Sequence, residues 1–339
     1  MKVFITRKIP SRGIEMLSAK GYTVALNPED RVLAKAELIA FLKADRYDAV
    51  LCLLTDRIDA EVLDAAKTSG VKIFANYAVG FDNVDVKAAG ERGIAVTNTP
   101  EVLTETVAEH TFVLLLAIAH RIAESDRFSR AGKYRGWEPE LLLGADVSHK
   151  TLGVVGLGRI GSRVAHHAVR GFDMRVIYYD VKRNEQFEKE FAAPRGGEPR
   201  PDGRGAVVAY RSNVDDVFRE ADFISLHVPL LPATHHLVNA DRLKLMKPSA
   251  YLINTSRGSI VDEAALRDAL KAGIIKGAAI DVWEHEPELT PGLVELENII
   301  ITPHTASATE ETRQRMGEVA AKNIIEALQG RTPPSLVRP

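Results

Sequence analysis

The stretch GVVGLGRIGSRV, residues 153 to 164, decides the fold of this chain. Its glycines Gly156, Gly158 and Gly161 follow an apolar run and precede a helical pattern. This spacing lets a strand turn tightly into a helix whose N-terminus can hold a pyrophosphate. A dinucleotide-binding fold usually opens with such a turn, yet 152 residues precede the stretch here. Those residues therefore need a role of their own.

Length and composition favour two domains and a small-molecule partner. The 339 residues exceed the usual size of one hydrophobic core, and 45% of them are hydrophobic, which is enough for two cores. The formal net charge is -2 and no long basic run occurs, so nucleic acid is a poor candidate partner. MKVFITRKIP indicates a strand rather than a signal peptide, and the apolar run at 112–119 is too short to span a bilayer. We therefore expect a cytoplasmic protein without membrane attachment.

Several reactive residue types have ordinary structural explanations. Cys52 lies in the apolar run DAVLCLL and is predicted to be a buried small hydrophobic residue rather than a nucleophile. The pairs His166-His167 and His235-His236 lack metal-ligand spacing, so we interpret them as surface residues and predict no metal site. Asp262 is predicted to cap the helix that begins in VDEAALRDAL.

Strand and helix patterns alternate through both halves of the chain. Five apolar or β-branched runs separated by helical patterns predict a parallel sheet in the first half, at 3–6, 23–26, 48–54, 72–78 and 94–98. Six further runs fit a Rossmann sheet: TLGVVGL, MRVIYYD (174–180), DFISLHV (222–228), AYLINTS (250–256), GAAIDVW (277–283) and NIIITP (298–303). A long helical pattern over 101–130 lies between the two series. The predicted fold class is α/β.

Two segments fall outside the two series. PRGGEPRPDGRG, at 194–205, is rich in glycine, proline and arginine and predicts an exposed loop after the second Rossmann strand. The final pattern, at 309–330, predicts a helix without a following strand. This helix must pack on one of the two domains.

Asp180 adds specificity to the glycine turn. It ends the strand MRVIYYD, 19 residues beyond Gly161, where a carboxylate can accept hydrogen bonds from the adenosine ribose. Its charge would also repel a 2′-phosphate. We therefore predict NAD as the cofactor, with NADH preferred over NADPH.

Three polar residues follow later strands: Arg257 in NTSRGSIVDE, Glu286 in DVWEHEPE and His304 in ITPHTAS. Ligands bind at the carboxyl edge of such a sheet, so these strand ends converge on one crevice. Ketone reduction by NADH needs a proton donor, which histidine supplies near neutral pH, and a neighbouring carboxylate favours the imidazolium. An arginine can bind a substrate carboxylate and polarise its carbonyl. Taken singly, the three residues could instead be a loop histidine, a surface carboxylate and a helix-flanking cation.

Four motifs in order, GLGRIG, NTSRGSIVDE, DVWEHEP and TPHTASAT, resemble the signatures of the D-isomer-specific 2-hydroxyacid dehydrogenases. Within that family NYAVGFDNVD, RLKLMK and PPSLV are most similar to the glyoxylate reductases, with the hydroxypyruvate reductases next. The resemblance implies a Rossmann-type NAD-binding domain, 101–304, inserted into a smaller flavodoxin-like substrate domain, 1–100 and 305–339. It also implies a homodimer with a dimerisation arm at about 121–150 that contains Trp137.

The resemblance also implies roles for individual residues. His304 would be the acid/base, Glu286 its partner and Arg257 the substrate anchor. The backbone amides of Val79 and Gly80 would hold the substrate carboxylate. These assignments describe a small 2-keto or 2-hydroxy acid as substrate.

The cofactor is expected to contact residues from both sides of the glycine turn. Val228 and Pro229 would flank the adenine, Asp281 would bind the nicotinamide carboxamide, and Thr106 would lie on the nicotinamide side. The complete predicted set is Thr106, Gly156, Leu157, Gly158, Arg159, Ile160, Gly161, Asp180, Val228, Pro229, Thr255, Ser256, Asp281 and Ala306.

The predicted activity is NADH-dependent reduction of glyoxylate, and also of hydroxypyruvate. Two alternatives remain: another D-2-hydroxyacid dehydrogenase, of the D-lactate or phosphoglycerate type, or a dinucleotide-sensing, corepressor-like binding protein on the same fold. Two departures from related sequences bear on the choice. Asp180 stands where similar archaeal-type reductases carry an NADP-type Ser-Arg pattern, and Leu141 stands where some hydroxypyruvate-active relatives place an aromatic residue.

Overall fold

The computed structural model describes residues 1–191 and 207–338. The chain divides into two compact units, of which unit 1 comprises Met1–Leu103 and Ala308–Pro339, and unit 2 comprises Thr104–Ser307. Both units are parallel sheets with helices, which confirms the predicted α/β fold class. The loop predicted at 194–205 lies outside the described residues.

Unit 1 contains a five-stranded parallel sheet of order β2-β1-β3-β4-β5, the flavodoxin-like order. Its elements are β1 (Lys2–Ile5), α1 (Ser11–Ala19), β2 (Thr23–Leu26), α2 (Lys35–Ala44), β3 (Ala49–Cys52), α3 (Ala60–Ser69), β4 (Ile73–Asn76), α4 (Val86–Glu91) and β5 (Ala95–Thr97). All five strands predicted for this half of the chain are present.

The centre of unit 1 shows why the sequence folds in this way. All four residues of β3 are buried, because a parallel strand covered on both faces is apolar throughout rather than alternating. Cys52 is 0% exposed, as predicted. Asp59 begins α3 by accepting hydrogen bonds from the N–H groups of Glu61 and Val62, and Gly70 ends the helix with a left-handed φ of 105°.

Unit 2 contains a seven-stranded parallel sheet of order β12-β11-β10-β9-β6-β7-β8. Its elements are α5 (Thr104–Ala119), α6 (Ile122–Arg130), β6 (Thr151–Val155), α7 (Arg159–Phe172), β7 (Arg175–Tyr179), α8 (Glu185–Glu190), β8 (Val208–Tyr210), α9 (Val214–Glu220), β9 (Phe223–Leu226), α10 (Ala240–Leu245), β10 (Tyr251–Asn254), α11 (Glu263–Lys271), β11 (Gly277–Ile280) and β12 (Ile299–Ile301). The strand order reverses between β9 and β6, and ligands of Rossmann sheets bind at this switch point. Asp262 caps α11 through the N–H of Ala265, as predicted.

The prediction of six strands for this sheet was wrong by one. The additional strand, β8, pairs with β7 at the sheet edge through the register Val176↔Val208. The three residues of β8 closely follow the segment 194–205, whose composition predicted a loop, and were not distinguished from it as a separate apolar run.

The single helical pattern predicted over 101–130 is two helices, α5 and α6, with an angle of 60° between them. Arg121 has a left-handed φ of 54°, and the carbonyl of Ala119 accepts the N–H of Ala145 at 2.9 Å instead of continuing the helix. In the described part of the chain no single helix is long and apolar enough to cross a membrane, and only α5 and α6 taken together reach that length and hydropathy.

The last helix, α12 (Glu310–Leu328), packs in unit 1 against α1 and against β3, β4 and β5. A side-chain Cβ at Gly13 would lie 2.5 Å from the carbonyl oxygen of Gly317, so α1 and α12 touch backbone to backbone. The final helix therefore packs on a sheet formed by earlier residues, as the sequence predicted.

Candidate active site

The glycine turn after β6 has the geometry of a pyrophosphate cradle. Gly156 has a φ of 95°, and a Cβ at this position would lie 2.7 Å from the carbonyl oxygen of His227. A Cβ at Gly161 would lie 2.0 Å from the Gly156 carbonyl, so this glycine lets α7 pack closely on β6. A Cβ at Gly158 would meet nothing within 4 Å, which leaves the start of α7 open to a ligand. The three glycines therefore fit a dinucleotide.

Asp180 is fixed beside this turn. It follows β7, which pairs with β6, and its Oδ2 accepts the N–H of Leu157 at 2.7 Å. The neighbouring cation Arg183 is paired with Glu188, Nη2 to Oε2, at 2.7 Å. This arginine holds the pKa of the Glu188 carboxyl below its ordinary value. The position next to the turn thus carries the fixed carboxylate of Asp180, while the nearby guanidinium of Arg183 is bound to Glu188.

Arg257, Glu286 and His304 follow three neighbouring strands. The register aligns Asn254 of β10 with Ile280 of β11, and Ile280 with Ile301 of β12. Each of the three residues lies in the loop after its strand, so all three leave the same edge of the sheet. This placement agrees with the strand ends assigned from the sequence.

His304 and Glu286 form a direct hydrogen bond, Nδ1 to Oε2, of 3.0 Å. A carboxylate can only accept, so Nδ1 carries the hydrogen and Nε2 faces away from the carboxylate. The other oxygen of Glu286 accepts the N–H of Trp283 at 3.2 Å. His304 has a left-handed φ of 53°, which is uncommon for a residue with a side chain. The loop backbone therefore sets the direction of the imidazole.

Asp281 anchors the backbone around His304. Its side chain is 0% exposed. Oδ1 accepts the N–H of Thr305 and Oδ2 that of Ala306, both at 2.8 Å. Burial raises the pKa of Asp281, but hydrogen bonds from His110, Thr302, Thr305 and Ala306 outweigh burial and leave it below its ordinary value. Asp281 therefore supports the loop that carries His304, and its predicted contact with a carboxamide stays a prediction.

The loop of Arg257 packs directly on the loop of Glu286. A Cβ at Gly258 would lie 1.9 Å from the carbonyl carbon of Trp283 and 2.4 Å from the N of Glu284. The carbonyl of Arg257 accepts Nδ2 of Asn254 at 2.9 Å, which ties the loop to the end of β10. The two loops thus form one body, and only glycine fits at their contact.

In unit 1, the segment around Val79 and Gly80 offers two backbone donors. Three successive carbonyls are held by the protein: Ala78 by Thr99 N at 2.8 Å, Val79 by Asn98 Nδ2 at 2.7 Å and Gly80 by Asn76 Nδ2 at 2.9 Å. In a trans peptide the N–H points opposite to the C=O, so the N–H groups of Val79 and Gly80 are turned away from these anchors. Within residues 1–191 and 207–338 neither N–H has an acceptor. Such paired amides suit a carboxylate.

The other predicted cofactor residues lie on the switch-point side of the sheet or on helices near it. Arg159 and Ile160 open α7, and Val228 and Pro229 follow β9. Thr106 is half-buried on α5. The remaining two are held by the protein: Thr255 Oγ1 lies 3.0 Å from Thr111 Oγ1, and Ser256 Oγ donates to the carbonyl of Leu226.

A family model described as D-isomer specific 2-hydroxyacid dehydrogenase, NAD binding domain, matches residues 112–306. The chain belongs to this family. The family predicted from the four motifs is therefore confirmed, and the protein is an oxidoreductase that uses a nicotinamide dinucleotide.

Relatives of this dehydrogenase cover almost its whole length. A glyoxylate reductase of Korarchaeum cryptofilum is 47% identical over 99% of this chain and 95% of its own. A crystal structure of a Thermus thermophilus protein matches with a TM-score of 0.87 and 43% identity, covering 100% of both chains. The NADPH-dependent glyoxylate/hydroxypyruvate reductase of Sinorhizobium meliloti, solved with citrate, matches with a TM-score of 0.81 and 30% identity over 99% and 97% of the two chains.

One half-buried histidine of the dehydrogenase, His227, was not identified from the sequence. Burial lowers the pKa of His227 to about 3, so the ring is neutral at ordinary pH. Its Nε2 lies 2.8 Å from Ser225 Oγ, and its carbonyl faces Gly156. His227 directly follows β9, and this position at a strand end is the one feature of the sequence from which it could have been identified.

In the described part of the dehydrogenase, one group of side chains has its ligand atoms close enough for a metal ion: His235, His236 and Glu284, within 4.8 Å of one another. The two imidazoles stack with centroids 4.0 Å apart. Nε2 of His236 instead pairs with Glu284 Oε1 at 2.6 Å. The sequence concealed this pair because Glu284 lies 48 residues away.

Proposed function

We propose that this dehydrogenase reduces glyoxylate, and also hydroxypyruvate, with NADH as the reductant. The observation that carries the proposal is the 3.0 Å hydrogen bond between His304 and Glu286 at the same sheet edge as Arg257. Curated relatives named glyoxylate reductase, one of them 47% identical, support the choice of substrate.

The acid/base pair supplies the proton. When bound, NADH supplies a hydride to the carbonyl carbon of the substrate. The carboxylate of Glu286 accepts the Nδ1 hydrogen of His304 and so orients the ring with Nε2 directed away from Glu286. His304 then donates the Nε2 proton to the carbonyl oxygen, which completes the hydroxyl group. Nδ1 keeps its hydrogen throughout. After the proton transfer, Glu286 therefore holds the neutral ring of His304 in the tautomer with hydrogen on Nδ1.

The residues that we assign to the substrate are Arg257 and, through their backbone amides, Val79 and Gly80. The guanidinium of Arg257 polarises the carbonyl and attracts the carboxylate of the acid. The N–H groups of Val79 and Gly80 are suited to a carboxylate, since their peptide planes are anchored by other residues. We assign the substrate domain to 1–100 and 305–339 and the cofactor domain to 101–304.

Asp180 favours NADH over NADPH. Its carboxylate is held beside the glycine turn by the N–H of Leu157, where a 2′-phosphate would meet like charge. Arg183 is paired with Glu188 and is therefore engaged elsewhere. The Sinorhizobium meliloti relative is named as NADPH-dependent, so the family does not itself decide the cofactor.

We further propose a homodimer formed through the arm at about 121–150, in the cytoplasm. Large apolar side chains are exposed along this arm, including Trp137 at 82%, Leu143 at 59% and Tyr134 at 54%. Exposed apolar residues in such number are typical of a surface that another chain covers.

Initial rates with a panel of 2-keto acids test the function. The panel contains glyoxylate, hydroxypyruvate, pyruvate and 3-phosphohydroxypyruvate, each measured with NADH and with NADPH. We expect the highest kcat/KM for glyoxylate with NADH and the next for hydroxypyruvate. A higher value for pyruvate or for the phosphorylated acid would instead identify another dehydrogenase of the family.

A further inference from the structure

A reciprocal amide pair in unit 1 joins Asn76, the last residue of β4, to Asn83 in the loop before α4. Nδ2 of Asn76 donates to Oδ1 of Asn83 at 3.2 Å, and Nδ2 of Asn83 donates to Oδ1 of Asn76 at 3.3 Å. Asn76 is 0% exposed. A buried amide pair of this kind is stable only when its remaining donors also find partners.

The remaining amide hydrogens bind the backbone of two loops. Asn76 donates to the carbonyl of Gly80 at 2.9 Å. Asn83 shares its remaining amide hydrogen between the carbonyls of Leu53 and Asp56, at 3.1 and 3.0 Å. The pair therefore ties the segment that contains Gly80 to the turn between Leu53 and Asp56.

That turn is itself anchored to the end of β1. Asp56 is 4% exposed, and its Oδ2 accepts the N–H of Leu53 at 2.8 Å and the hydroxyl of Thr6 at 2.5 Å. Residues after three neighbouring strands, β1, β3 and β4, thus belong to one polar network. The network binds the Gly80 segment through the Gly80 carbonyl, and this contact is separate from the bond that Asn98 makes to the Val79 carbonyl.

We propose that the Asn76-Asn83 pair positions the amides of Val79 and Gly80 for the substrate carboxylate, an inference that rests on the proposed function. The Gly80 N–H lies in the peptide whose carbonyl Asn98 holds, and Asn76 binds the carbonyl of the next peptide. The chain is therefore anchored on both sides of the Gly80 Cα, which prevents this glycine from acting as a hinge that would turn its N–H away from a ligand. Asn76 and Asn83 touch no reacting atom and act only through the backbone that they hold. Their effect should therefore fall on substrate affinity, whereas hydride transfer and cofactor binding should change less.

The variant Asn76→Asp tests this role. It keeps the shape of the side chain but replaces the donor to Gly80 by a carboxylate oxygen, which repels the carbonyl. We expect the KM for glyoxylate to rise about tenfold, the range for a buried polar group left without its partner. The change in kcat should be smaller, and the KM for NADH should stay at the wild-type value.

Asn27→Asp is the matched control. Asn27 is also a buried asparagine after a strand of the same sheet, at 6% exposure. It closes a different loop, since it donates to the carbonyl of Arg31 at 3.3 Å and accepts the N–H of Glu29 at 3.1 Å. This variant should lose stability comparably while keeping the wild-type KM for glyoxylate.

A second variant and a second measurement keep the proposal testable if Asn76→Asp does not fold. Asn83→Ala changes a half-buried side chain and leaves the bond from Asn76 to Gly80 possible, so its KM should rise in the same direction by less. Hydrogen exchange at Val84, whose N–H donates to Phe81 at 3.0 Å, should become faster in both variants and stay unchanged in Asn27→Asp. This readout needs no turnover.

The outcomes separate the two proposals. If the wild type does not turn over glyoxylate, the proposed function fails, and unchanged exchange at Val84 would then also overturn the positioning role. If the wild type is active, a wild-type KM in both Asn76→Asp and Asn83→Ala overturns the inference while the function stands. A raised KM with faster exchange at Val84 supports it.

Discussion

Gly258→Ala should misplace Arg257 relative to the acid/base pair. The added Cβ would lie 1.9 Å from the carbonyl carbon of Trp283, against the 3.4 Å at which ordinary van der Waals contact begins. The two backbones must therefore separate by about 1.5 Å, a distance fixed by that difference. Gly258 has no left-handed φ, so alanine is compatible with the local backbone and the effect comes from this contact alone.

A displacement of about 1 Å at a catalytic group reduces the rate by about 10²-fold, and overpacking typically costs about 1–3 kcal/mol of stability. We expect kcat/KM for glyoxylate to fall by about that factor of 10². The contribution of the glycine turn and Asp180 to NADH binding should be unchanged, because both follow other strands. Initial rates and a urea unfolding curve at the same temperature measure the two effects separately.

Gly171→Ala is the matched control. A Cβ at Gly171, near the end of α7, would meet nothing within 4 Å. Alanine there should raise the free energy of unfolding by about 0.5–1 kcal/mol and leave kcat/KM unchanged. If Gly258→Ala kept wild-type kcat/KM while folded, the two loops would not form one catalytic body, and the reasoning from their contact would be refuted.

Three further predictions concern protons and cofactor choice. His304→Ala should lower kcat by about 10²–10⁴-fold with NADH affinity retained, because the proton donor is lost. A near-native kcat without His304 would contradict the acid/base role. Asp180→Ser should lower kcat/KM with NADH and raise it with NADPH. A wild type that already prefers NADPH would show that Asp180 does not determine the choice of cofactor. The pKa of His227 is lowered from 6.5 to about 3, so between these two pH values the unfolded chain binds a proton that the folded chain does not, and the free energy of unfolding should fall as the pH drops from 6.5 to 3. The urea midpoint should therefore fall less steeply with pH in His227→Asn than in the wild type. An equal pH dependence of the two midpoints would argue against a neutral His227 ring in the folded protein.

The sequence sufficed for features that depend on local spacing. The glycines of the turn and Asp180 are separated by distances that the strand-turn-helix unit imposes, and Arg257, Glu286 and His304 each follow an apolar run that could be recognised as a strand. The two sheets followed from the same runs, because parallel strands buried on both faces leave continuous apolar signals.

Features that depend on partners distant in the chain could not be predicted. The bend at Arg121 requires the N–H of Ala145 to occupy the carbonyl of Ala119, and nothing near the bend encodes that contact. The bond between His236 and Glu284 joins residues 48 positions apart. The anchors of Val79 and Gly80 likewise come from other strand ends, and an asparagine at a strand end has no distinctive local pattern.

The central claim is that this chain transfers a hydride from NADH to glyoxylate. Incubation of the purified protein with glyoxylate and NADH carrying deuterium at both C4 positions tests it directly, with mass analysis of the glycolate formed. We expect one deuterium in each glycolate and one NADH oxidised for each glycolate, with the signal lost in His304→Ala. Tight binding of NADH without formation of labelled glycolate would contradict the account and identify a dinucleotide-binding protein instead.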